Sequence, residues 1–381
     1  MNPAGLQKGG IGQIMKIVFQ KSDLASALNI VSKAVGIRSV SPILECVLIT
    51  AQHGEIRFTA NNNDLGIETL SAGTIIEEGM VALNARLFSE LVRKFPESEV
   101  ELEVNAKNVA TVTCEASQFK LLGQAGEEFP DLMQIDQSDA IEISEFSLKE
   151  AIRQTIFSIA DQESNPVLTG ELFEVNDNEL KIVALDGHRI AIRRILLNDS
   201  YGKRRVIVPG KSLMELSKIL EGDADEIVQI VFSRSHLMFR FGATMVITGL
   251  IDGNYFDVNR MIYSDFETKV TVNKRQMQSC MDRACLLSGT GEKKPVIMSF
   301  HDSDVVISAS SFIGSMNEVL LIEKEGKNME IGFNPKFILD VLRVIDDEDI
   351  TMYLINQKYP CVIKDADETY LYLVLPVNIS A

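Results

Sequence analysis

An acid, a base and a cation stand together in one short segment, Asp186-Gly187-His188-Arg189. A carboxylate can orient an imidazole for general acid or base catalysis, and a guanidinium can stabilise developing negative charge. A hydrolase or transferase that uses Asp186, His188 and Arg189 is therefore one hypothesis. The alternative is a tight turn, because Asp-Gly between two apolar runs is typical of a hairpin with exposed polar residues at its tip.

A second polar segment, His301-Asp302-Ser303-Asp304, contains side chains that can ligate metals. It occupies the same place in a strand-turn-strand pattern as Gln52-His53-Gly54 and Asn176-Asp177-Asn178, where such residues suit turn geometry. We therefore expect a turn and no metal site. The five cysteines are scattered and form no CxxC pair, so neither a zinc site nor a disulfide framework is expected.

The sequence offers no further catalytic motif. It contains no GxxxxGK[ST] loop, no glycine-rich dinucleotide fingerprint and no serine or cysteine nucleophile motif, so we expect no cofactor. No apolar run approaches the roughly 18 residues that a membrane span requires. The scattered cysteines and the lack of a signal peptide favour a reducing cytoplasm.

The elements that must position these residues occur three times. An apolar strand that runs directly into an amphipathic helix recurs with Val81, Val206 and Ile331 at matched positions, 125 residues apart. A strand-turn-strand pattern and an opening helix recur at nearly the same period, which is the length of a whole domain. The sequence therefore predicts a single module that is used three times.

Each module is predicted to be α+β, with two helices and about eight short antiparallel strands. We expect domains at 15–138, 139–264 and 265–381. Residues 1–14 are glycine-rich and precede the first strand pattern, so they are expected to be an extension or tag remnant outside the fold. Ser22 is available as the N-cap of the first helix.

The helices are the basic part of an acidic chain. A formal net charge of −17 argues against nucleic acid binding in general, yet the six helical segments contain fifteen basic and only six acidic residues. Solvated helix faces would explain any one segment, whereas equivalent helices that face a common surface would explain the set. Five cations are expected in a first turn, where the helix dipole disfavours positive charge by about 0.3–1 kcal/mol; they are Arg86, Lys149, Lys211, Lys274 and Lys336.

Apolar residues surround the turn at 186–189 in the expected fold. They either close the cores of the second and third modules or form a shallow groove for a peptide with hydrophobic side chains. These residues are Leu185, Ile190, Met261, Leu373, Leu375 and Val377.

Six motifs are spread over the three modules. They are EEFPDL at 127–132, ALDGHRIA at 184–191, VIVPGKSLMEL at 206–216, IDGNYFDVNRM at 251–261, MEIGFNPKFILDVL at 329–342 and the terminal YLVLP. Together they resemble one family, the bacterial DNA polymerase III beta subunit or sliding clamp. The resemblance runs in family order from Met15 to the end of the chain.

The resemblance implies a non-catalytic DNA polymerase processivity factor. It implies a homodimer that closes head to tail into a ring of six modules, with sheets outside and helices around duplex DNA. Such helices would contact phosphates without reading bases. The implied partners are the DNA polymerase III alpha subunit, the clamp loader and other clamp-binding proteins. The DNA-facing positions that the resemblance implies are Arg38, Arg86, Arg93, Gln162, Lys211 and Lys336.

The resemblance also implies a peptide-binding groove between the second and third modules. Its positions are Leu168, Leu185, Gly187, His188, Arg189, Ile190, Arg260, Met261, Pro360, Leu373, Val374, Leu375 and Pro376. The implied subunit interface joins Phe119 and Leu121 of one protomer to Leu286 and Leu287 of the next.

Three positions depart from the family pattern. Leu185 replaces a small hydroxyl residue, Phe256 replaces a common proline, and Asn378 stands where some members end in a basic residue. We therefore expect a more apolar groove with an altered peptide preference. A monomeric three-domain adaptor that binds only proteins is the remaining alternative.

Overall fold

The computed structural model describes residues 14–36, 41–136, 139–161, 165–263, 265–287 and 295–379. The helices are α1 (Lys21–Val31), α2 (Ala85–Arg93), α3 (Glu145–Thr155), α4 (Gly210–Ile219), α5 (Lys274–Leu287) and α6 (Pro335–Leu342). The first strands are β1 (Met15–Gln20), β2 (Cys46–Gln52), β3 (Glu55–Asn61), β4 (Leu65–Ser71), β5 (Thr74–Glu77), β6 (Gly79–Asn84), β7 (Glu99–Val104), β8 (Val109–Cys114), β9 (Ser117–Leu122), β10 (Gln124–Ala125) and β11 (Ala140–Ser144).

The remaining strands include two that are much longer than the sequence suggested. They are β12 (Gly170–Leu185), β13 (Arg189–Pro209), β14 (Ile227–Phe232), β15 (His236–Phe241), β16 (Thr244–Gly249), β17 (Thr268–Asn273), β18 (Val296–Phe300), β19 (Asp304–Ser311), β20 (Gly314–Gly326), β21 (Met329–Phe333), β22 (Asp349–Leu354), β23 (Cys361–Lys364) and β24 (Tyr370–Val374).

The chain forms two compact units. The first contains the residues up to 143 together with 225–249, and the second contains 144–224 together with 250–381. The strands of the central repeat are thus divided, since β14 to β16 join the first unit whereas β12 and β13 join the second. Sequence periodicity reports similarity between modules and contains no information on which strands pair across their ends.

The first unit contains a five-stranded sheet in the order β5-β1-β7-β8-β9 and a nine-stranded sheet in the order β10-β6-β2-β3-β4-β16-β15-β14-β11. Strand β1 shows why such segments pair: Met15, Ile17 and Phe19 are buried, while the alternating residues face outward. Helix α1 buries apolar residues spaced three or four apart, including Leu24 and Leu28, and it packs against α2.

The start of α1 differs from the expectation. Its N-cap is Gln20, not Ser22, and no side chain caps it. Strand β1 runs straight into the helix, and the Lys21 amide donates to the Ser98 carbonyl at 3.1 Å. This bond satisfies one of the helix's free N–H groups from a neighbouring segment, so a side-chain cap is not needed there.

The second unit is built on a ten-stranded sheet in the order β12-β13-β24-β23-β22-β17-β20-β19-β18-β21. Both faces of β24 are buried. Tyr370, Tyr372 and Val374 join the core cluster around α5 and α6, whereas Leu371 and Leu373 join a second cluster with residues of β12 and β13. This alternation explains why the terminal motif is an unbroken apolar run.

The second unit contains a carboxyl group that is removed from water. Glu171 on β12 is fully buried, and neither side-chain oxygen has a hydrogen-bond partner among the described residues. The nearby Thr155 hydroxyl donates to the Ala151 carbonyl at 2.7 Å. Burial raises the pKa of Glu171 to about 8, and Thr155 offsets this only in part. The residue is therefore protonated in the folded state at neutral pH.

This raised pKa makes stability depend on pH. Below the unfolded-state pKa of Glu171 the carboxyl is protonated in both states, and above it only the unfolded chain gains by ionising. We expect the free energy of unfolding to fall as pH rises from about 4.5 through about 8. Urea unfolding at several pH values should show this fall in the wild type and a smaller one in Glu171→Gln.

Asp199→Asn provides the control, because Asp199 is exposed at the irregular middle of the same hairpin. It should leave the pH dependence unchanged. An identical pH slope in the wild type and Glu171→Gln would contradict the assignment.

Candidate functional site

A cavity of about 510 Å³ lies around the turn at 186–189 in the second unit; we call it the groove. Its floor is apolar and buried, and its rim is aromatic, apolar and cationic. The lining residues are Leu168, Leu185, Gly187, His188, Arg189, Ile190, Phe256, Arg260, Met261, Tyr263, Lys358, Tyr359, Pro360, Leu373 and Leu375.

The turn is held by one aspartate and one glycine. Leu185 pairs with Ile190 across the end of the β12-β13 hairpin. Gly187 has φ +83°, a backbone conformation that side chains with a Cβ rarely adopt. Asp186 Oδ1 accepts from the amides of His188 and Arg189 at 3.0 and 3.1 Å. The expected hairpin turn is therefore confirmed.

Strand β24 completes the groove from the other side. Ile190 pairs with Leu373, and the Leu375 amide donates to the His188 carbonyl at 2.8 Å. Leu373 lies in the floor, while Leu375 is 39% exposed at the rim. The turn and the end of the chain thus form a single surface.

Arg189 is the most constrained charge in the site. Its guanidinium donates to Asp186 Oδ2 at 2.8 Å, to Asp340 Oδ2 at 2.6 Å and to the Phe157 carbonyl at 2.6 Å. Burial alone would lower the pKa of Arg189, but Tyr372 and the Asp340 and Asp186 carboxylates raise it above its usual value. The side chain stays charged with its donors engaged.

This arrangement does not suit acid-base chemistry. The Asp186 oxygens are occupied by the turn amides and by Arg189, so the carboxylate does not orient His188. The His188 ring lies over Phe337 instead, with 6.1 Å between ring centroids. Asp186, His188 and Arg189 are neighbours that build a turn rather than a catalytic set.

The apolar residues near the turn divide into a buried set and an exposed set. Leu185, Ile190 and Leu373 are buried in a core cluster, whereas Met261 and Leu375 are exposed. Val374 was expected in the groove but is fully buried on the opposite face of β24, because alternate residues of a strand point to opposite faces. This placement corrects the expectation for Val374. Pro376 is half-buried and is not part of the described lining.

Four lining residues were not predicted: Phe256, Tyr263, Lys358 and Tyr359. Tyr263 and Tyr359 pack edge to face with centroids 5.2 Å apart, which gives the rim an aromatic wall. Phe256 is one of the departures from which a more apolar groove is expected, although it is not among the predicted groove positions. Lys358 and Tyr359 directly precede the predicted Pro360. Adjacency to Pro360 in the sequence could have identified Lys358 and Tyr359 as lining residues.

The helix cations divide into two groups. The first group is exposed and consists of Arg86, Arg93, Lys211 and Lys336. Two further predicted DNA-facing residues, Arg38 and Gln162, lie outside the described residues. Arg86 forms an i,i+4 ion pair with Glu90 at 3.1 Å and is still 88% exposed. These four side chains remain accessible to a ligand.

Lys149 and Lys274 belong to the second group. Lys149 Nζ donates to the Leu220 and Glu221 carbonyls just beyond α4, and Lys274 Nζ donates to the Ile345 carbonyl just beyond α6. Each cation therefore stabilises the negative C-terminal end of the other helix of its pair. Lys149 was expected in a first turn but lies beyond it, because α3 begins at Glu145 with Ser144 as its N-cap.

The predicted interface residues lie on β9 and at the end of α5. Phe119 and Leu286 are exposed, and Leu121 and Leu287 are half-buried. Further exposed apolar residues were missed by the sequence reasoning, namely Leu122, Phe312, Ile313, Val319 and Leu321.

The turn expected at 301–304 is confirmed. The His301 amide donates to the Asp304 carbonyl at 2.8 Å between β18 and β19. Within the described ranges, no group of three or more His, Cys, Asp or Glu side chains is placed to hold a metal ion. Among the same residues, no helix combines the length and apolarity of a membrane span.

Comparison with known proteins identifies the family. The N-terminal, central and C-terminal domain models of the DNA polymerase III beta subunit match residues 15–133, 142–257 and 259–378. The chain belongs to the DNA polymerase III beta subunit family. A curated beta sliding clamp from Bacillus subtilis is 35% identical over 377 residues, which cover 96% of this chain and 100% of that protein.

Solved sliding clamps share the fold. A putative beta subunit from Eubacterium rectale is 48% identical with a TM-score of 0.92, over 96% of this chain and all of that one. A Pseudomonas aeruginosa sliding clamp bound to griselimycin is 25% identical with a TM-score of 0.90, over 96% and 100% of the two chains. The expected family and the three-module α+β clamp fold are confirmed.

Family membership decides between the hypotheses. Sliding clamps are non-catalytic processivity factors of DNA polymerase III, so the chain is a processivity factor and not a hydrolase or transferase. The occupied Asp186 carboxylate agrees with this conclusion.

The two capping lysines give a stability test for the sliding clamp. Lys274→Met keeps the aliphatic stem but removes the donor to the Ile345 carbonyl, so we expect the free energy of unfolding to fall by about 1–2 kcal/mol. Urea unfolding measures the change. Arg275→Met is the control, because Arg275 is the exposed neighbour on the same helix and should cost much less. Equal costs would contradict the capping role.

Proposed function

We propose that two copies of this chain close head to tail into a ring that encircles duplex DNA and works in the cytoplasm. The ring would consist of six clamp domains with boundaries at 15–138, 139–264 and 265–381, and residues 1–14 would lie outside the fold. The observation that carries the proposal is a strand-pairing pattern that occurs twice within the chain and leaves complementary edges unpaired among the described residues.

The pattern joins equivalent strands of successive modules. Strand β16 pairs with β4 in the first unit, and β24 pairs with β13 in the second. Strand β20 is the third-module counterpart of β4 and β13. Its residues Gly314–Leu321 pair only with β19 among the described strands. Strand β9 is the counterpart of β16 and β24, and it forms an edge of its sheet.

A second copy would pair its β9 with the open half of β20. Exposed apolar side chains lie on both edges, with Leu122 85% exposed on β9 and Phe312 87% exposed beside β20. Burying them together with Val319 and Leu321 would supply the hydrophobic contact of a stable interface. The predicted contacts of Phe119 and Leu121 with Leu286 and Leu287 lie next to this surface. The contact is heterologous, and it gives a closed two-copy ring when the rotation between the copies closes.

The DNA-facing surface is supported by three equivalent cations. Arg86, Lys211 and Lys336 are each the second residue of α2, α4 and α6, are 125 residues apart and are all exposed. Unlike Lys149 and Lys274, their side chains cap no helix among the described residues. The helix dipole disfavours these cations where they stand, which is expected of residues that serve a polyanion instead. Arg93, Arg38 and Gln162 complete the proposed set.

Removing the three cations should weaken loading and its salt dependence. We expect the variant Arg86→Ala, Lys211→Ala, Lys336→Ala to load on circular duplex DNA at least about tenfold less well at 0.2 M salt, because fewer counterions are released. Retention on circular and linear DNA after loading by the matched clamp loader measures the effect, with molar mass from light scattering.

The control removes three exposed cations that lie outside the helices: Lys107, Lys203 and Arg234. It matches the change in net charge and should leave loading unchanged. Equal loss in both variants would reject the DNA-facing assignment. A monomer that leaves circular and linear DNA at the same rate would favour the adaptor instead of the ring.

The groove is proposed to bind short apolar segments of the DNA polymerase III alpha subunit, the clamp loader and other clamp-binding proteins. Its buried floor and exposed Met261 and Leu375 provide apolar contact area, and Met adapts well to differently shaped side chains. His188 and Lys358 place polar groups at the rim. Leu185 closes the floor of the groove and Phe256 lies at its rim. We therefore expect the groove to prefer peptides with bulky apolar side chains.

Truncating the exposed rim should weaken peptide binding. For Met261→Ala with Leu375→Ala we expect the Kd of a clamp-binding peptide to rise about tenfold or more, since apolar area is lost from the contact. Fluorescence anisotropy of a labelled peptide measures this Kd. Leu196→Ala is the control, because Leu196 is 77% exposed on β13 outside the groove. A wild-type Kd in the double variant would contradict the proposed site.

A further inference from the structure

Helix α6 supports the groove from beneath. Its Phe337 ring lies 4.4 Å from the Arg189 guanidinium carbon and stacks with His188, and its Asp340 carboxylate accepts from Arg189 at 2.6 Å. Neither Phe337 nor Asp340 lines the groove. Phe337 and Asp340 therefore contact the groove wall from behind.

We propose that the Arg189–Asp340 ion pair makes α6 a positioning element of the groove, so that peptide affinity responds to the surroundings of this helix. The inference rests on the proposed peptide-binding function of the groove. Asp340 acts as a positioning residue, because it would touch no peptide itself.

A short series of bonds joins Asp340 to the groove wall. Asp340 fixes one side of the guanidinium of Arg189, and the other side binds Asp186 Oδ2 at 2.8 Å. Asp186 Oδ1 in turn fixes the amides of His188 and Arg189. The His188 carbonyl then holds the Leu375 amide at the rim. A shift of Asp340 is thus transmitted to both sides of the groove.

Burial makes this connection stiff. The Arg189 and Asp340 side chains are 8% and 13% exposed, and Arg189 is also in contact with the Phe157 ring. A buried guanidinium that loses one carboxylate must find another partner or move toward water. Here Asp186 is already engaged by two amides, so the turn itself is expected to rearrange.

The same helix face carries the proposed DNA contact. Lys336 precedes Asp340 by one turn and is exposed. Phosphate bound at Lys336 would bias the position of α6, and through Asp340 the position of the turn. Coupling between two sites is reciprocal, so peptide in the groove would also bias the DNA contact.

The test compares Asp340→Asn with Asp340→Glu. The probe is a synthetic peptide from the clamp-binding segment of the DNA polymerase III alpha subunit, carrying one tryptophan. The chain has no tryptophan, so tryptophan fluorescence reports the peptide alone. We expect Asp340→Asn to raise the peptide Kd at least about fivefold and Asp340→Glu, which keeps the charge, to restore most of the affinity.

Asp282→Asn is the matched control. Asp282 forms an ion pair of 3.3 Å with Arg343, the residue that follows α6, and both side chains are about half exposed. The substitution removes the charge of Asp282 from this pair. This variant should bind the peptide like the wild type. Thermal unfolding of all variants identifies any that fail to fold. A second measurement uses the wild-type protein and needs no substitution.

That second measurement compares the peptide Kd of wild-type clamp free in solution and loaded on circular DNA. We expect the two values to differ by at least about twofold, and the difference to vanish in Asp340→Asn. Unchanged peptide affinity in Asp340→Asn, or no difference between free and loaded wild type, would overturn the inference while leaving the groove in place. If the wild type binds no peptide, the result contradicts the proposed peptide-binding function of the groove itself.

Discussion

The buried guanidinium of Arg189 is the constraint on which the functional part of the second unit depends. A charge removed from water must be paired and hydrogen-bonded, and this one is paired twice and also bonded to a backbone carbonyl. Meeting that requirement fixes the turn, brings α6 against it and seats the apolar floor between Leu185 and Leu373. The shape of the groove therefore depends on the hydrogen bonds that Arg189 makes.

Cations have three different tasks in this chain, and residue type does not distinguish them. Arg189 organises a buried network, Lys149 and Lys274 close the ends of neighbouring helices, and Arg86 projects into solvent. The sequence shows only that helical segments are basic in an acidic protein. The electrostatic argument for DNA becomes stronger once the two capping lysines are removed from it. The three first-turn cations that remain, Arg86, Lys211 and Lys336, are exposed and cap no helix among the described residues.

The parts of the fold that depend on periodicity could be predicted from the sequence. The three strand-helix units marked by Val81, Val206 and Ile331 are present as β6-α2, β13-α4 and β21-α6. What could not be predicted depends on long-range geometry. Burial of Glu171, the inward face of Val374 and the aromatic wall of Tyr263 and Tyr359 all arise from contacts between segments far apart in the chain.

The three modules also show how equivalent turns of a repeated fold come to form different surfaces. The equivalent hairpin turns lie at 61–64, 186–189 and 311–314, and each is followed by the same kind of strand. In the first, Asn61 and Asn62 bond the local backbone and the Asp64 carbonyl accepts from Gly249.

In the second turn, Asp186 bonds the backbone in the same way, and the equivalent carbonyl of His188 accepts from Leu375. The added features are a buried arginine and the apolar residues it holds in place.

The third turn has the apolar Phe312 and Ile313 at its tip and no later strand to cover it among the described residues. Identical backbone positions therefore serve a closed junction, a binding groove and an open edge. The difference lies in which residues the turn carries and in whether another described strand pairs beside it.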